Sequence, residues 1–158
     1  MTYSAKVYRK QGGDEQVVAS GGTTTHDAGS KMFERGTALR IQGAPAAKTV
    51  TAGITAAELI AGLITTTGAT APSVHQLPTG TEIEALLPGI ATGDSFDFTI
   101  INTGVGASTD ATITVNTDVT IIGSPTVGSL TDATLIAGSG RFRARRSAAN
   151  TFVVYRLA

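Results

Sequence analysis

A chain of 158 residues with 15% charged and 5% aromatic side chains, 26 Thr and 19 Gly has room for one domain, or one domain with an arm, and its Thr and Gly favour strands and turns over a Lys/Glu/Leu-rich helical bundle. It contains no Cys, which excludes disulfide scaffolds, thiolate zinc sites and Cys nucleophiles. Formal net charge is zero but segregated, at +3 for residues 1–50, −8 for 51–140 and +5 for 141–158, and the acidic centre would repel phosphate, so no nucleic-acid partner is expected.

The opening ten residues have no apolar core, so no signal peptide is expected. Over residues 3–20, Tyr3, Ala5, Val7 and Arg9 alternate with Ser4, Lys6, Tyr8 and Lys10, Gln11-Gly-Gly-Asp14 supplies a turn, and Gln16-Val-Val-Ala19 returns. That is a β-hairpin, too small to be stable alone. Residues 21–30 form a polar loop, 37–42 read as a short strand, and Gly43-Ala-Pro-Ala-Ala47 reads as a linker. The predicted organisation is an extended arm with a hairpin and linker over residues 1–47, then a β-domain over 48–158.

In that domain Thr55-Ala-Ala-Glu58 is a capping box ahead of Leu59, Ile60, Leu63 and Ile64, predicting a short helix near 55–64 weakened at Gly62. Thr81-Glu-Ile-Glu84 repeats the device and predicts about one helical turn ending near Pro88. Both Glu58 and Glu84 read as caps. Strands are predicted at 73–77, 95–102, 111–115, 119–122 and 133–137, with a closing hairpin of 140–146 and 151–156. Phe96, Phe98 and Ile100 share one face and Asp97 and Thr99 the other; Phe142 and Ala144 point inward while Arg141, Arg143 and Arg145 point out. Short strands separated by turn residues predict an all-β fold, a sandwich or jelly roll with one or two short helices. The uncharged stretch 59–81 holds six Thr, three Gly and two Pro and would not cross a bilayer as one helix, so no membrane partner is expected.

Chemistry has few candidates. His26 and His75 stand alone, without a partner at metal-ligand spacing, so no metal site is expected. Ser139 lies in Gly138-Ser-Gly140, a hairpin turn rather than a nucleophile elbow. Asp94 falls in a Gly-Asp turn and Asp97 on a solvent-facing strand position. The Gly-rich pieces match neither a phosphate loop nor a dinucleotide fingerprint. No catalytic, cofactor-binding or metal site is expected. The run Arg141-Phe-Arg-Ala-Arg-Arg146 has two readings, charge that protects a sheet edge or an inter-subunit contact through Arg141, Arg143 and Arg145. The charge segregation likewise has two, neutralisation of neighbouring acidic strands or an acidic partner surface.

The stretch Tyr3-Ser-Ala-Lys-Val-Tyr-Arg9 with Val17-Val-Ala-Ser-Gly-Gly22 resembles the start of structural proteins from tailed-phage head modules. Ile54-Thr-Ala-Ala-Glu-Leu-Ile-Ala-Gly-Leu-Ile64 is similar to the entry into the C-terminal domain of phage capsid decoration (cement) proteins. So are the segment from Pro78 to Asn102 and the close from Gly140 to Leu157. Residues 22–40 depart from the Ser-Gly-Gly repeats of such relatives. The resemblance implies a non-enzymatic virion protein without a cofactor, a homotrimeric jelly-roll-like knob on the outer surface of the head, made in the bacterial host cytoplasm. Its partner would be the major capsid protein, met by an arm carrying Lys6, Val7, Tyr8, Arg9, Lys10, Val17 and Val18. Two alternatives stand beside it: a trimeric tail-fibre or receptor-binding tip, and a secreted carbohydrate-binding module. The second is disfavoured by the lack of Trp.

Overall fold

A computed structural model describes residues 42–49, 51–66, 71–104, 109–129 and 138–158, with the backbones of Val7–Arg9 and Gln16–Val18. The chain divides into two compact units, Met1–Arg40 and Ile41–Ala158. In the first, β1 (Val7–Arg9) and β2 (Gln16–Val18) pair antiparallel with Tyr8 opposite Val17. The strands expected at 133–137 and over most of 37–42 lie outside the described residues, as does the polar loop at 21–30.

The second unit is β-rich with two short helices. Its strands are β3 (Ala46–Lys48), β4 (Leu63–Thr66), β5 (Ser73–Gln76), β6 (Ser95–Asn102), β7 (Ala111–Thr114), β8 (Val119–Ile122), β9 (Thr126–Val127), β10 (Ser139–Ala148) and β11 (Thr151–Arg156). Its helices are α1 (Ala56–Ala61) and α2 (Gly80–Ala85). One sheet runs β3-β4-β6-β10-β11-β8 and the other β5-β7-β9. The β3–β4, β4–β6, β11–β8 and β5–β7 pairs are parallel. The sheets are therefore mixed, whereas a jelly roll is built from antiparallel strands. The expectation holds at the coarser level of two sheets with two short helices.

Period-two patterning sets the core. On β6, Phe98 and Ile100 are buried; on β10, Phe142 and Ala144; on β11, Phe152 and Val154. Phe98 and Phe142 face each other in register and their rings stack with centroids 5.2 Å apart. Each fully buried Phe contributes about 1.5–3 kcal/mol relative to an exposed one. Leu59 of α1, Ile83 of α2 and Ala111, Ile113 and Val127 of the smaller sheet complete the same core. Asn102 ties the sheets together: its buried amide donates to the carbonyls of Thr109 and Val127, satisfying polar groups that would be costly to bury unpaired.

Three local features depart from the sequence reading. Gly62 ends α1 with φ of +85°, and the chain turns at once into β4; glycine meets no Cβ penalty there. Leu63 and Ile64 are thus strand residues, not the last turn of a helix. The second capping box is Thr79–Glu82, not Thr81–Glu84. The segment Thr79-Gly-Thr-Glu-Ile-Glu84 contains the motif in two frames, and the earlier one buries Ile83 completely. Ala46 and Ala47, read as linker, belong to edge strand β3 beside β4.

Candidate functional site

β10 is an interior strand, between β6 and β11, so its arginines do not protect a sheet edge as one reading had it. Alternation puts Arg141, Arg143 and Arg145 on the outer face, opposite Phe142 and Ala144 on the core side. The register then builds rows across four strands. Ile122, Tyr155, Arg143 and Asp97 form one row; Thr120, Val153, Arg145 and Ser95 form the next.

Asp97 receives two guanidinium groups. Arg143 donates from Nε and Nη2 at 2.6 and 3.0 Å, and Arg141 from Nη2 at 2.7 Å. These hydrogen bonds, Arg143 first and then Arg141, hold the carboxyl down at about 2. The central acidic segment and the terminal basic one do neutralise each other here, but incompletely. Arg145 forms no ion pair among the described residues, so the outer face keeps three guanidinium groups against one carboxylate. A solvated row of this kind holds little folding energy, because exposed pairs contribute about 0–1 kcal/mol. Its excess charge is available to a partner.

The fourth member of the run has a different task. Arg146 makes a bidentate pair with Glu84, both contacts at 2.9 Å, and the Asn150 backbone N–H donates to the same carboxylate. Arg146 and then Asn150 hold Glu84 below the usual carboxylate range. Glu84, expected to cap its own helix, instead fastens α2 to the β10–β11 turn. Glu82 has the capping role, its carboxylate accepting from Thr79 N–H at 2.8 Å. Glu58 caps α1 as expected and also meets Lys48 at 2.7 Å. Burial raises Glu58, but the Lys48 and Thr55 hydrogen bonds outweigh it and the net shift is down. Asp94 accepts from the Ala91 N–H within the turn anticipated for it.

His75 is fully buried on β5. Its Nδ1 lies 3.3 Å from the Ala52 carbonyl, an acceptor only, so Nδ1 carries the proton. Nε2 then accepts from the Ser73 hydroxyl at 3.0 Å. Burial pushes the ring's pKa down, keeping it neutral. Among the described residues no group of three or more His, Asp or Glu is placed to hold a metal ion, and no helix is long and apolar enough to cross a membrane. Ser139 opens β10 rather than forming a turn. Of the expected arm residues, Val7, Tyr8 and Arg9 lie on β1 and Val17 and Val18 on β2, while Lys6, Lys10 and His26 lie outside the described residues. Sequence reasoning did not find the Arg156 guanidinium, 5.0 Å over the Phe142 ring and donating to the Thr126 carbonyl; the only signal was an Arg in phase with the buried side of β11.

Comparison with known protein families, with curated proteins and with solved structures finds no match.

Proposed function

We propose that the chain is a non-enzymatic virion protein, a capsid decoration protein that binds the outside of a tailed-phage head and stabilises contacts between major-capsid subunits. The observation that carries this reading is the two-stranded ribbon of β1 and β2, in a unit separate from the β-rich domain. Such a ribbon is marginal in water and gains stability by laying its backbone and apolar residues on a partner. Val7, Tyr8, Val17 and Val18 supply apolar contact, and Lys6, Arg9 and Lys10 supply charge for carboxylates on the shell. The resemblance quoted above supports the same reading. In it the second unit is a jelly-roll-like knob modified by parallel pairings, three copies associate, and no cofactor takes part. The protein is made in the bacterial host cytoplasm and ends on the outer surface of the virion.

Co-sedimentation with empty heads tests the proposal. Deleting residues 2–20 is expected to abolish binding while the remaining domain keeps its circular dichroism spectrum and cooperative unfolding. Undiminished binding by a folded deletion variant would refute the role of the arm.

A further inference from the structure

The molecule carries two oppositely charged surfaces, each with an apolar component. The outer face of the six-stranded sheet has Arg141, Arg143 and Arg145 against Asp97 alone. Beside them stand Ile122, 55% exposed, and Leu157, 45% exposed. Neither is covered, although both sit where a larger assembly would gain by covering them.

The opposite charge collects around the β10–β11 turn. Gly80 at the start of α2 donates to the Thr117 carbonyl and lies against Asn150 and Asp118. Gly93 N–H donates to the Arg146 carbonyl, and Arg146 N–H to the Asp94 carbonyl. These contacts bring Glu82, Asp94 and Asp118 to one end of the domain. Among the described residues, none of the three forms a salt bridge, but Asp94 lies in the field of Arg146 and its turn neighbour Gly93 sits beside the Arg145 guanidinium, so Glu82 and Asp118 carry the charge of this end; the nearby Glu84 is already neutralised by Arg146. The acidic end also has an apolar part. Leu86, 51% exposed, joins Leu87, Ile90 and Phe96 in lining a shallow depression with Asp94.

We infer that the outer face of the six-stranded sheet docks onto the acidic turn end of a second copy of this chain. The inference rests on the self-association part of the reading above and names the surfaces that mate. Charge complementarity selects this occupant: a face of three Arg and one Asp meets an end where the carboxylates of Glu82 and Asp118 form no salt bridge among the described residues. Each surface also brings exposed aliphatic residues to the contact. The two surfaces are different parts of the chain, so the contact is heterologous, and a closed ring is its finite product. Opposite fields speed encounter and weaken with salt, because exposed charges are screened beyond about 10 Å at about 0.1 M.

Sedimentation velocity on the full chain tests this with two exposed-site variants. Arg145→Glu damages the face. Glu82→Gln with Asp118→Asn damages the end, while Gln keeps the capping box and Asn tolerates the left-handed conformation of Asp118, φ +61°. The wild type is expected to associate, with a dissociation constant rising at least about tenfold between about 0.05 and 0.5 M salt. Each variant alone is expected to be monomeric. An equimolar mixture is expected to form a heterodimer, since one partner's intact face meets the other's intact end. Circular dichroism of each variant confirms folding. If the wild type associates but the variants do likewise, or the mixture stays monomeric, the assigned surfaces are wrong and self-association stands. A wild type monomeric at all concentrations overturns both, and leaves head binding to its own co-sedimentation assay.

Discussion

Acidification should weaken the second unit through His75 before Glu58, Glu82, Glu84 or Asp97 responds. The ring is fully buried and neutral, with Nδ1–H donating to the Ala52 carbonyl and Nε2 accepting from Ser73. Its native pKa is depressed below 6.5 by burial, with the charge of Lys48 acting in the same direction. The unfolded chain therefore binds a proton near pH 6.5 that the native state refuses, and stability falls as pH drops below that value. The slope is at most about 1.4 kcal/mol per pH unit, and the loss from about pH 6.5 to 5 is at most about 1.6 kcal/mol. Ser73 can rotate its hydroxyl to accept from a protonated Nε2, so the cost is the buried charge rather than a lost hydrogen bond. Glu58, Glu82, Glu84 and Asp97 are all held below their ordinary values. Their contributions are present above those ordinary values and are lost only as pH falls through the lowered native ones, below the window from about pH 5 to 6.5 in which the His75 effect is read. Urea unfolding of the wild type and His75→Gln across that window is the assay. The chain has only one other His, so the variant should lose most of the slope whatever its starting stability. Equal slopes in the two proteins, or a flat wild-type profile, would refute the reasoning.

Three further outcomes are expected. Phe142→Ala removes a fully buried ring stacked on Phe98 and should cost about 3–5 kcal/mol in chemical denaturation; a loss below about 1 kcal/mol would contradict the packing described. Gly80→Ala drives a Cβ into the Asn150 carbonyl group and should lower the melting temperature sharply, whereas Gly43→Ala, with nothing within 4 Å, should leave it unchanged. Glu84→Ala removes the pair with Arg146 and the bond from Asn150 N–H; amide hydrogen exchange at residues 149–151 should accelerate, and unchanged protection would show that the turn does not depend on this carboxylate.

Much of the strand pattern was legible because alternation is local. Residues 95–102 and 119–122 appear as strands with the predicted boundaries, and the facing of Phe98, Phe142 and the three outward arginines followed from period two alone. The capping box at Thr55 and Glu58 was legible for the same reason. What failed depends on partners distant in sequence. β3 has an Ala-rich sequence with no strand signature and exists by pairing with β4. The frame of α2 is selected by burial of Ile83 and by Arg146, 62 residues beyond Glu84. The interior position of β10 cannot be read from its own residues, because a charged outer face fits an edge and a solvent-facing central strand equally well. Arg156 lay hidden because its role depends on the Phe142 ring of the neighbouring strand.

The central claim is placement on the head, and cryo-electron microscopy of particles produced from the genome that encodes this chain tests it most directly. Density for the β-rich domain is expected on the outer surface of the shell, joined to the major capsid protein through residues 1–40. Density at the tail tip instead, or particles that lack the chain altogether, would contradict the account.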